Sequence, residues 1–510
     1  MVKAMIKKLR ADEPGIPLKI QNFIGGSWVD AGDGGVFETI NPARRDEVVA
    51  VVAKSTREDI DRAVQAAREA YKSWRLVPAP KRGEILFRAA EGLVREKERL
   101  GRLVTREMGK VIAEGLGDVQ EAIDMAYYMA GEGRRLSGET VPSELSGKDA
   151  KSVRVPVGVF ALITPWNFPT AIPAWKIFPA LIAGNTVVFK PSRYSAAAAS
   201  ELVRIIAEAG LPDGALNLVN GPGGDVGEYL AMHPGIDGVS FTGSSAVGIS
   251  LAGRLTSEGR KVSAEMGGKN AIIVMDDADL GLAVEGAIWG GFGTTGQRCT
   301  AASRVIVHKA VYKEFLERFI AAAKKLTLGD GLDPKTDVGP LVNDGQMKKV
   351  QHYIQIGVSE GARLVTGGQH CTHGELSHGY FFEPTIFADV TPDMRIAKEE
   401  IFGPVVSVIK AQDIDDAIAI ANGVDYGLSA AIYTNSVNYS AKAERDIEAG
   451  IVYINASTIG AEIQLPFGGI KKSGLGGKEA GGMGGALGFF THVKVVYRDF
   501  SGKLQKAQMD

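Results

Sequence analysis

Cys299 and Glu265 are the two residues whose settings best suit covalent chemistry. Cys299 lies among small, polar and glycine residues in the segment 294–300, and no apolar neighbours support the alternative of an inert buried thiol. A Cys–His hydrolase would need an imidazole base, and none of the seven histidines lies in a suitable setting. Glu265 follows the strand-like segment 261–264 and precedes an apolar, glycine-rich stretch, where burial would raise its pKa and make it a usable general base. A satisfied structural carboxylate is the alternative for Glu265.

Asn167 and Lys190 each come at the end of a predicted strand. Asn167 lies in the segment 164–169, and its side-chain amide could donate to a developing oxyanion. Lys190 ends the next predicted strand along the chain and could reach ribose or phosphate oxygens, although an ordinary surface lysine is the alternative. Both residues are therefore candidates for one site at one edge of a sheet.

Glycine-rich turns point to a nucleotide only in combination. The literal G-x-G-x-x-G pattern at Gly291, Gly293 and Gly296 follows a predicted helix rather than a strand, which indicates a structural turn. The segments 221–227 and 241–245 do follow strands and open helices, and there Gly243 and Ser244 could offer donors to a phosphate. Each turn alone is also explained as a tight βα connection, but two on adjacent strands indicate a nucleotide site.

Elements that must position these residues begin at about residue 157, where β-rich runs alternate with Ala-rich segments. The predicted strands are 159–163, 186–190, 216–219 and 236–241, and the predicted helices are 171–183, 195–209, 226–232 and 246–254. This alternation predicts a parallel, doubly wound sheet, which binds ligands outside the carboxyl ends of its strands.

A second α/β region is predicted from Asn270 to beyond residue 460. Its strand candidates are 270–275, 304–308, 405–409 and 451–455, with helices at 311–325 and 414–422. Helices are also predicted at 59–74, 81–108 and 117–135 from their apolar spacing. The tail 488–500 alternates like an isolated strand, which suggests pairing with another subunit.

Composition excludes several classes of function. A balance of 58 Lys and Arg against 60 Asp and Glu gives a net charge of −2, so no nucleic-acid partner is expected. No stretch of the 510 residues approaches 18 uninterrupted apolar residues, so no membrane partner is expected either. Two cysteines cannot build a disulfide framework, and the basic segment Met1–Arg10 is not followed by an apolar signal-peptide core. A cytoplasmic location is therefore expected.

A cluster of potential metal ligands lies in the short segment 370–378. It contains His370, Cys371, His373, Glu375 and His378, but the spacing fits no standard zinc pattern. An exposed loop without a metal is the expectation.

Seven motifs occur in an order that resembles the aldehyde dehydrogenase superfamily, over about residues 20 to 500. They are Thr164-Pro-Trp-Asn-Phe-Pro169, Phe189-Lys-Pro-Ser192, Phe241-Thr-Gly-Ser244, Glu265-Met-Gly-Gly268, Gly296-Gln-Arg-Cys299, Glu400-Ile-Phe-Gly-Pro404 and Pro466-Phe-Gly-Gly469. The resemblance implies that Cys299 adds to an aldehyde, Asn167 holds the oxyanion and Glu265 activates the water that hydrolyses a thioester. It also places Lys190 among the residues that contact the cofactor near the reaction.

The resemblance implies an α/β fold with a Rossmann-type cofactor domain, a second α/β catalytic domain and a small β oligomerisation arm. The cofactor-binding domain would be discontinuous, at 1–140 and 157–265, the catalytic domain would span 266–470, and the arm would comprise 141–156 and 486–500. The arm implies a homo-oligomer, either a dimer or a tetramer. The implied cofactor contacts are Thr164, Pro165, Trp166, Lys190, Ser192, Arg193, Gly223, Gly227, Phe241, Thr242, Gly243, Ser244, Val247, Glu265, Met266, Gly267, Glu400 and Phe402.

The position three residues after Lys190 bears on the choice of nucleotide. NAD-preferring members often carry a glutamate there, whereas this chain has Arg193. Without a carboxylate, and with Lys190 and Ser192 nearby, a 2′-phosphate becomes acceptable, which predicts a preference for NADP with NAD also possible. An Arg193 that points to solvent is the alternative.

The polar loop 455–464 favours a small aldehyde with a polar distal end. Its pattern and the helix segment 117–124 resemble the branches that oxidise aminoadipic and 2-oxoglutarate semialdehydes, so a short semialdehyde that carries a carboxylate is predicted. Arg298 could pair with that carboxylate, or could instead form an intramolecular salt bridge. The candidate substrate residues are Glu121, Arg298, Glu462 and Phe467, and Glu479 is a further candidate for the water path.

Other functions stay open at this point. A broad-specificity aliphatic aldehyde dehydrogenase and a CoA-acylating aldehyde dehydrogenase are the enzymatic alternatives, although CoA-acylating members usually lack a carboxylate at the position of Glu265. A binding protein that retained the fold without catalysis is the third, and the presence of Cys299, Asn167 and Glu265 argues against it.

Overall fold

The computed structural model describes residues 16–508. The segment Met1–Arg10 and the first fifteen residues of the predicted cofactor-binding domain lie outside the described residues. Five strands and three long helices come first: β1 (Leu18–Ile20), β2 (Asn22–Ile24), β3 (Ser27–Val29), β4 (Val36–Asn41), β5 (Arg44–Ala53), α1 (Arg57–Trp74), α2 (Ala79–Met108) and α3 (Ile112–Glu132). The three helices confirm the predicted ones to within five residues at either end, whereas the five strands were not predicted.

Local sequence explains where two of these helices begin and end. Thr56 and Asp59 form a capping box at the start of α1, in which the threonine hydroxyl accepts the N–H of Asp59 at 3.2 Å and the aspartate accepts the N–H of Thr56 at 2.9 Å. α2 ends at Gly109, whose φ of 91° is a left-handed conformation that glycine adopts at little cost. Short strands such as β1 to β3 carry no such signal, because three residues show almost no periodicity.

Five parallel strands form the centre of the first large sheet. After β6 (Thr140–Pro142) and β7 (Lys148–Pro156), the elements are β8 (Val159–Ile163), α4 (Ala171–Ala183), β9 (Thr186–Lys190), α5 (Ala196–Glu208), β10 (Leu216–Leu218), α6 (Glu228–Met232), β11 (Gly238–Thr242), α7 (Ser245–Ser257) and β12 (Lys261–Glu265). The strand order β12-β11-β8-β9-β10 confirms the predicted doubly wound sheet, and β2 and β3 extend it beyond β10. The strand order reverses between β8 and β11, which is where such sheets bind ligands.

The register of this sheet brings the predicted polar residues to one edge. Ile163 pairs with both Lys190 and Phe241, and Thr242 pairs with Glu265. The strands therefore end side by side, and the loops that follow them share a single rim.

A second parallel sheet follows after a connection of four residues. The elements of this region are β13 (Asn270–Val274), α8 (Leu280–Phe292), β14 (Ala302–His308), α9 (Tyr312–Ala323), α10 (Asp344–Ser359), β15 (Arg363–Thr366), β16 (Thr385–Ala388), α11 (Arg395–Lys398), β17 (Val405–Ala411), α12 (Ile414–Asn422), β18 (Tyr426–Gly427), β19 (Ser429–Tyr433), α13 (Val437–Asp446), β20 (Ile451–Ile454) and β21 (Ile470–Lys471). The strand order is β15-β16-β17-β14-β13-β19-β20, in which only β15 is antiparallel to its neighbour. β18 and β21 form a separate two-stranded antiparallel sheet.

The last elements return to earlier parts of the molecule. They are β22 (Gly474–Gly476), α14 (Ala486–Phe489) and β23 (Thr491–Asp499). β22 lies antiparallel to β12 at the edge of the first sheet, and β23 pairs antiparallel with β7 over nine residues to form a three-stranded sheet with β6. The predicted tail strand from residue 488 starts too early, because the chain is helical up to Phe489. The division into domains stays a prediction.

Helices cover both faces of the parallel sheets, as a buried parallel sheet requires. α4 lies between the first sheet and the helices α2 and α3, and all thirteen of its residues are buried. None of the helices within residues 16–508 is long and apolar enough to cross a membrane.

Candidate active site

The loop between α8 and β14 presents Cys299. Thr294 and Thr295 in this loop have φ angles of 51° and 58°, a conformation that costs non-glycine residues free energy. A Cβ at Gly296 (φ 68°) would lie 2.2 Å from the Gly403 carbonyl oxygen, so only glycine fits. The G-x-G-x-x-G pattern thus ends in the structural turn that precedes the thiol.

Buried polar side chains hold this loop in its strained conformation. Glu114 Oε1 accepts a hydrogen bond from the N–H of Thr294 at 2.8 Å. The side-chain amide of Asn270 donates a hydrogen bond to the backbone carbonyl of Cys299 at 2.7 Å. Gln297, which is fully buried, accepts the N–H of Val342 at 3.0 Å. Sequence reasoning missed Glu114, Asn270 and Gln297, because their signal is buried polarity and becomes visible only once the loop is folded.

The environment of the Cys299 thiol favours its neutral form. Burial, followed by the negative charges of Glu479, Glu400 and Glu265, raises the pKa of the thiol to about 12. The N–H of Thr300 acts in the opposite sense by donating to the sulfur. Formation of a thiolate therefore depends on a change in the charge of the site.

Asn167 faces the same cavity as Cys299. This cavity of about 190 Å³ is also lined by Gly267, Glu400 and Phe402. One N–H of Asn167 donates to the Gln297 carbonyl at 3.0 Å, and Oδ1 has no hydrogen-bond partner among residues 16–508. The second N–H of the amide is available to a ligand in the cavity.

Glu265 ends β12 and is almost completely buried. Its Oε2 accepts the N–H of Gly469 at 2.9 Å, while its Oε1 has no partner in the described part of the chain. A Cβ at Gly468 (φ 150°) would lie 2.1 Å from Oε1, so only a glycine at this position lets the backbone pass so close to the carboxylate. Burial, followed by the charge of Glu479, raises the pKa of Glu265 well above its ordinary value.

Glu479 lies behind Glu265 in a buried network. Its Oε1 accepts a hydrogen bond from Nζ of Lys176 and another from the Thr242 hydroxyl at 2.5 Å, and its backbone pairs with Phe467. Ser240 also accepts from Lys176, at 2.7 Å. The carboxylate is thus an anchored neighbour of Glu265, and a connection to a water path stays a prediction.

A larger cavity of about 710 Å³ lies along the carboxyl edge of the first sheet. It shares Pro165, Trp166, Thr242 and Gly243 with the cavity at Cys299, so the two cavities adjoin at these residues. Of the predicted cofactor residues, Thr164, Lys190, Ser192, Arg193, Gly223, Gly227, Phe241 and Val247 line only the larger cavity, and Ser244, Met266, Gly267, Glu400 and Phe402 line only the smaller one. Glu265 lines neither.

The groove fits a dinucleotide on three structural grounds. Its volume suits a ligand of that size. The N-terminus of α7, at Ser244, has no side-chain cap, so its backbone N–H groups are free to receive a phosphate. Gly223 and Gly224 have open space where a side chain would stand, and Gly227 packs against the stem of Lys190.

Two cationic residues line the part of the groove that follows β9. Lys190 is buried, and desolvation followed by the charge of Arg193 lowers its pKa to about 8. Arg193 lies over the ring of Tyr194, 4.8 Å from its centroid, and donates to the Tyr194 hydroxyl at 3.0 Å. Arg193 is exposed, which agrees with the alternative that its side chain points to solvent, but it also lines the groove.

The junction between the two cavities is built by the segment before β17. Glu400 accepts the N–H of Gly268 at 3.0 Å, and a Cβ at Gly267 would lie 2.3 Å from its Oε2. Phe402 has a φ of 61° and packs edge-on against Trp166 at 5.5 Å. Gln346 donates to the Phe402 carbonyl at 2.8 Å, and both Gln346 and Lys349 line the cavity although the sequence did not single them out.

Arg298 forms the intramolecular salt bridge that was the alternative to substrate pairing. Its Nη2 lies 3.1 Å from Glu114 Oε1, and its Nε donates to the Thr294 hydroxyl at 2.8 Å. The guanidinium also lies 5.1 Å from the ring centroids of both Phe168 and Trp289. Nη1 makes no hydrogen bond to residues 16–508 and is the part of the side chain left for a ligand.

The remaining substrate candidates are spread over different environments. Glu121 is partly buried, and desolvation followed by the charge of Asp118 raises its pKa to about 7. Glu462 is exposed and accepts a hydrogen bond from Gln464, whereas Phe467 is buried against Trp175, 4.9 Å between ring centroids. The buried hydroxyl of Tyr453 has no partner within the described residues, so it is an additional candidate. Burial, followed by the negative charges that Cys299 and Glu121 carry when ionised, raises the pKa of Tyr453 to about 12.

The segment 370–378 does not assemble a metal site. Within residues 16–508, no group of three or more His, Cys, Asp or Glu side chains is placed to hold a metal ion.

Comparisons with known proteins agree with one another. The aldehyde dehydrogenase family matches residues 28–496. The alpha-ketoglutaric semialdehyde dehydrogenase of Bacillus subtilis is 44% identical over 93% of this chain and 97% of its own length. The alpha-ketoglutarate semialdehyde dehydrogenase of Haloferax volcanii is also 44% identical, over 94% of this chain and 99% of its own. The crystal structure of betaine aldehyde dehydrogenase from Staphylococcus aureus in complex with NAD+ superposes with a TM-score of 0.92 at 34% identity, covering 96% of each chain.

Proposed function

The chain belongs to the aldehyde dehydrogenase family and is an NAD(P)-dependent aldehyde dehydrogenase, and from that premise we propose that it oxidises a short semialdehyde with a distal carboxylate. The observation that carries the proposal is that the cavity lined by Cys299 and Asn167 adjoins the dinucleotide groove, with four lining residues in common. The names of the semialdehyde dehydrogenases that match nearly the whole chain support the substrate class.

The first step forms a bond between Cys299 and the aldehyde carbon. The thiol proton passes to solvent as the sulfur attacks. The carbonyl oxygen becomes an oxyanion that accepts hydrogen bonds from the free N–H of Asn167 and the backbone N–H of Cys299. A dinucleotide held in the groove would supply the acceptor for the hydride that leaves this carbon. The protein is left with a thioester on Cys299.

The second step releases the acid. The free Oε1 of Glu265 takes a proton from water, and the resulting hydroxide attacks the thioester carbon. The carbon–sulfur bond breaks, the acid is released, and the Cys299 sulfur recovers the proton from Glu265. The raised pKa of Glu265 makes it a stronger base once it is ionised, so this step accelerates as the pH rises. The balance is one aldehyde, one NAD(P)+ and one water giving one acid, one NAD(P)H and one proton.

The cofactor we propose is NADP in preference to NAD. Arg193 and the buried Lys190 line the groove beside Ser192, and none of these three residues carries the carboxylate that would repel a 2′-phosphate. The guanidinium of Arg193 can form charge-assisted hydrogen bonds to that phosphate.

Recognition of the distal carboxylate is assigned to Arg298. Its salt bridge with Glu114 and its contacts with Phe168 and Trp289 fix the guanidinium, and Nη1 is left to donate to a substrate oxygen. Tyr453 and Glu121 provide further polar groups on this side of Cys299.

Association of the chain into a homo-oligomer is proposed through β23. Val493, Val495 and Tyr497 on this strand are more than half exposed, which is unusual for three apolar side chains on one strand. A second copy of the chain would cover them.

An aldehyde panel tests the proposed activity. Absorbance at 340 nm is followed with five-carbon and four-carbon semialdehydes that carry a carboxylate, and with propanal, each with NADP and with NAD. The proposal expects kcat/KM to be at least about tenfold higher for a carboxylated semialdehyde, since one charged hydrogen bond contributes roughly 1.5–3 kcal/mol. Equal values for propanal would favour the broad-specificity alternative, and a strict need for added CoA would favour the acylating one.

A further inference from the structure

Two buried carboxylates outside the catalytic cavity touch the loops that carry the proposed catalytic and cofactor residues. Asp118 on α3 and Glu107 on α2 are at most 1% exposed. Each one accepts backbone N–H groups at the start of a different helix that follows a strand of the first sheet. α4 directly follows the loop that presents Asn167. α5 directly follows the loop 191–195, which begins after Lys190 at the end of β9 and presents Ser192 and Arg193.

Asp118 caps α4 from another helix. Its Oδ1 accepts the N–H of Ala171 at 2.7 Å, the N–H of Thr170 at 3.3 Å and the Thr170 hydroxyl at 2.8 Å. Its Oδ2 lies 3.2 Å from Nζ of Lys110, which is fully buried and stands 3.6 Å from the ring centroid of Phe168. Asp118 therefore contacts Thr170, and its partner Lys110 contacts Phe168. These two residues flank Pro169 and come shortly after Asn167 in the sequence.

Glu107 caps α5 in the same manner. Its Oε1 accepts the N–H of Ala197 at 2.8 Å, and its Oε2 accepts the N–H of Ala198 at 2.9 Å. The segment between Lys190 and Ala197 contains Ser192 and Arg193, which line the dinucleotide groove.

Neither helix is capped by its own sequence. Thr170 and Ser195 occupy the N-cap positions of α4 and α5, yet neither side chain makes a capping hydrogen bond. The buried hydroxyl of Ser195 has no hydrogen-bond partner among residues 16–508. Because helix N-termini need acceptors, the carboxylates from α2 and α3 take over that role and fix where each helix starts.

We propose that Asp118 and Glu107 are positioning residues, with Asp118 holding the loop that presents Asn167 and Glu107 holding the loop after β9 that presents Ser192 and Arg193. Prolines at 169 and 191 limit the freedom of both loops, so a displaced helix start moves the functional residue with it. The inference rests on the roles proposed above for Asn167 and Arg193.

Two reactions of the purified enzyme separate the effects. Hydrolysis of 4-nitrophenyl acetate requires the thiol and the oxyanion donors but no dinucleotide, whereas NADPH formation requires both loops. Asp118→Asn should slow both reactions by about tenfold or more and leave the KM for NADP within twofold, because misplaced donors cost rate rather than cofactor affinity. Glu107→Gln should raise the KM for NADP at least about fivefold and leave ester hydrolysis within twofold, because it disturbs only the groove.

Matched variants exclude a general effect of losing a buried carboxylate. Glu201 on α5 is equally buried and pairs with Arg99 and Arg204 away from both loops, so Glu201→Gln should change neither reaction by more than twofold. Thr170→Val removes a single donor to Asp118 and should slow ester hydrolysis about threefold, which decides the question if Asp118→Asn does not fold.

Asn167→Ala distinguishes a failure of this inference from a failure of the proposed function. If Asn167→Ala slows ester hydrolysis but Asp118→Asn and Thr170→Val do not, the positioning role of Asp118 is wrong. If Asn167→Ala has no effect on ester hydrolysis, the oxyanion role falls, and the role of Asp118 with it. A KM for NADP that rises no more in Glu107→Gln than in Glu201→Gln would overturn the role of Glu107.

Discussion

The two large sheets contribute to the site from opposite ends of their strands. In the first sheet the functional loops follow the carboxyl ends of β8, β9, β11 and β12. In the second sheet they precede the amino ends, since Cys299 comes three residues before β14 and the segment 400–404 comes directly before β17. The four-residue connection between β12 and β13 places the carboxyl edge of one sheet against the amino edge of the other.

This difference determines what each edge can supply. The carboxyl edge of the first sheet offers glycine turns and the uncapped N-terminus of α7, which suit phosphates. The amino edge of the second sheet offers side chains on strained loops, with positive φ angles at Thr294, Thr295 and Phe402. Among residues 16–508, every non-glycine residue with a positive φ lies at or beyond Thr294. The first edge, the binding edge, therefore supplies most of the groove together with Asn167 and Glu265, whereas the second, the reactive edge, holds Cys299 beside strained residues that cost roughly 1–3 kcal/mol each.

The sharpest test of this division is Cys299→Ser. The variant should lose at least about a thousandfold in kcat, because the nucleophile on the second sheet is replaced by a far weaker one. Its Kd for NADP should stay within twofold, because the groove belongs to the first sheet. Fluorescence titration and turnover assays measure the two quantities, and a large loss of NADP affinity would contradict the separation.

Glu265→Gln is expected to have the next largest effect. Glu265 ends a strand of the first sheet yet serves the thioester on the second, so the variant should lower steady-state kcat by about a hundredfold while a rapid burst of NADPH persists. In the parent enzyme kcat should rise with pH, because the pKa of Glu265 is raised and only the ionised carboxylate takes a proton from water. Stopped-flow absorbance across the pH range checks both expectations, and a variant without a burst would assign Glu265 to the first step instead.

Arg193→Glu probes the binding edge alone. It should lower kcat/KM for NADP by about thirtyfold, because a carboxylate replaces a charge-assisted donor to the 2′-phosphate, and it should leave kcat nearly unchanged. The ratio of kcat/KM for NADP to that for NAD measures the effect. Arg318→Glu on α9, an exposed arginine of the second region, is the matched control. A tenfold preference of the parent enzyme for NAD would refute the assignment.

Arg298→Ala probes the reactive edge with the smallest expected effect. It should raise the KM for a carboxylated semialdehyde about tenfold and that for propanal far less, because only the former loses a charged partner. Propanal is the internal control for damage to the loop through Glu114 and Thr294. Equal increases for both aldehydes would show that Arg298 acts only through its salt bridge.

The binding edge was more predictable than the reactive edge. The alternation of strands and helices from residue 159 predicted the parallel strands of the first sheet. Because such sheets bind ligands at the carboxyl ends of their strands, Asn167, Lys190 and the turn at Gly243 were expected to lie together. No comparable rule placed Cys299 beside them, because its loop precedes a strand. The motifs in order supplied that link through family resemblance, and the geometry of the cavity is consistent with it.

Residues that act through tertiary contacts escaped prediction. β22 completes the first sheet from a point more than two hundred residues after β12. Glu114 and Asp118 on α3 and Glu107 on α2 contact loops that lie far from them in the sequence. Arg298 could equally have faced the substrate or a salt bridge, and the pairing with Glu114 depends on how α3 packs against the loop after α8.

The sequence by itself determined the three long N-terminal helices, the central parallel strands of the first sheet and the reactive residue types, because periodicity, turn residues and chemical identity are local properties. Tertiary structure alone decided that a carboxyl edge meets an amino edge, that Arg298 is held by Glu114, and that two helices are capped by carboxylates from other helices. The physical reason is that burial and hydrogen-bond partners are shared between distant segments. A side chain's pKa, its free donors and its strain therefore exist only after those segments have met.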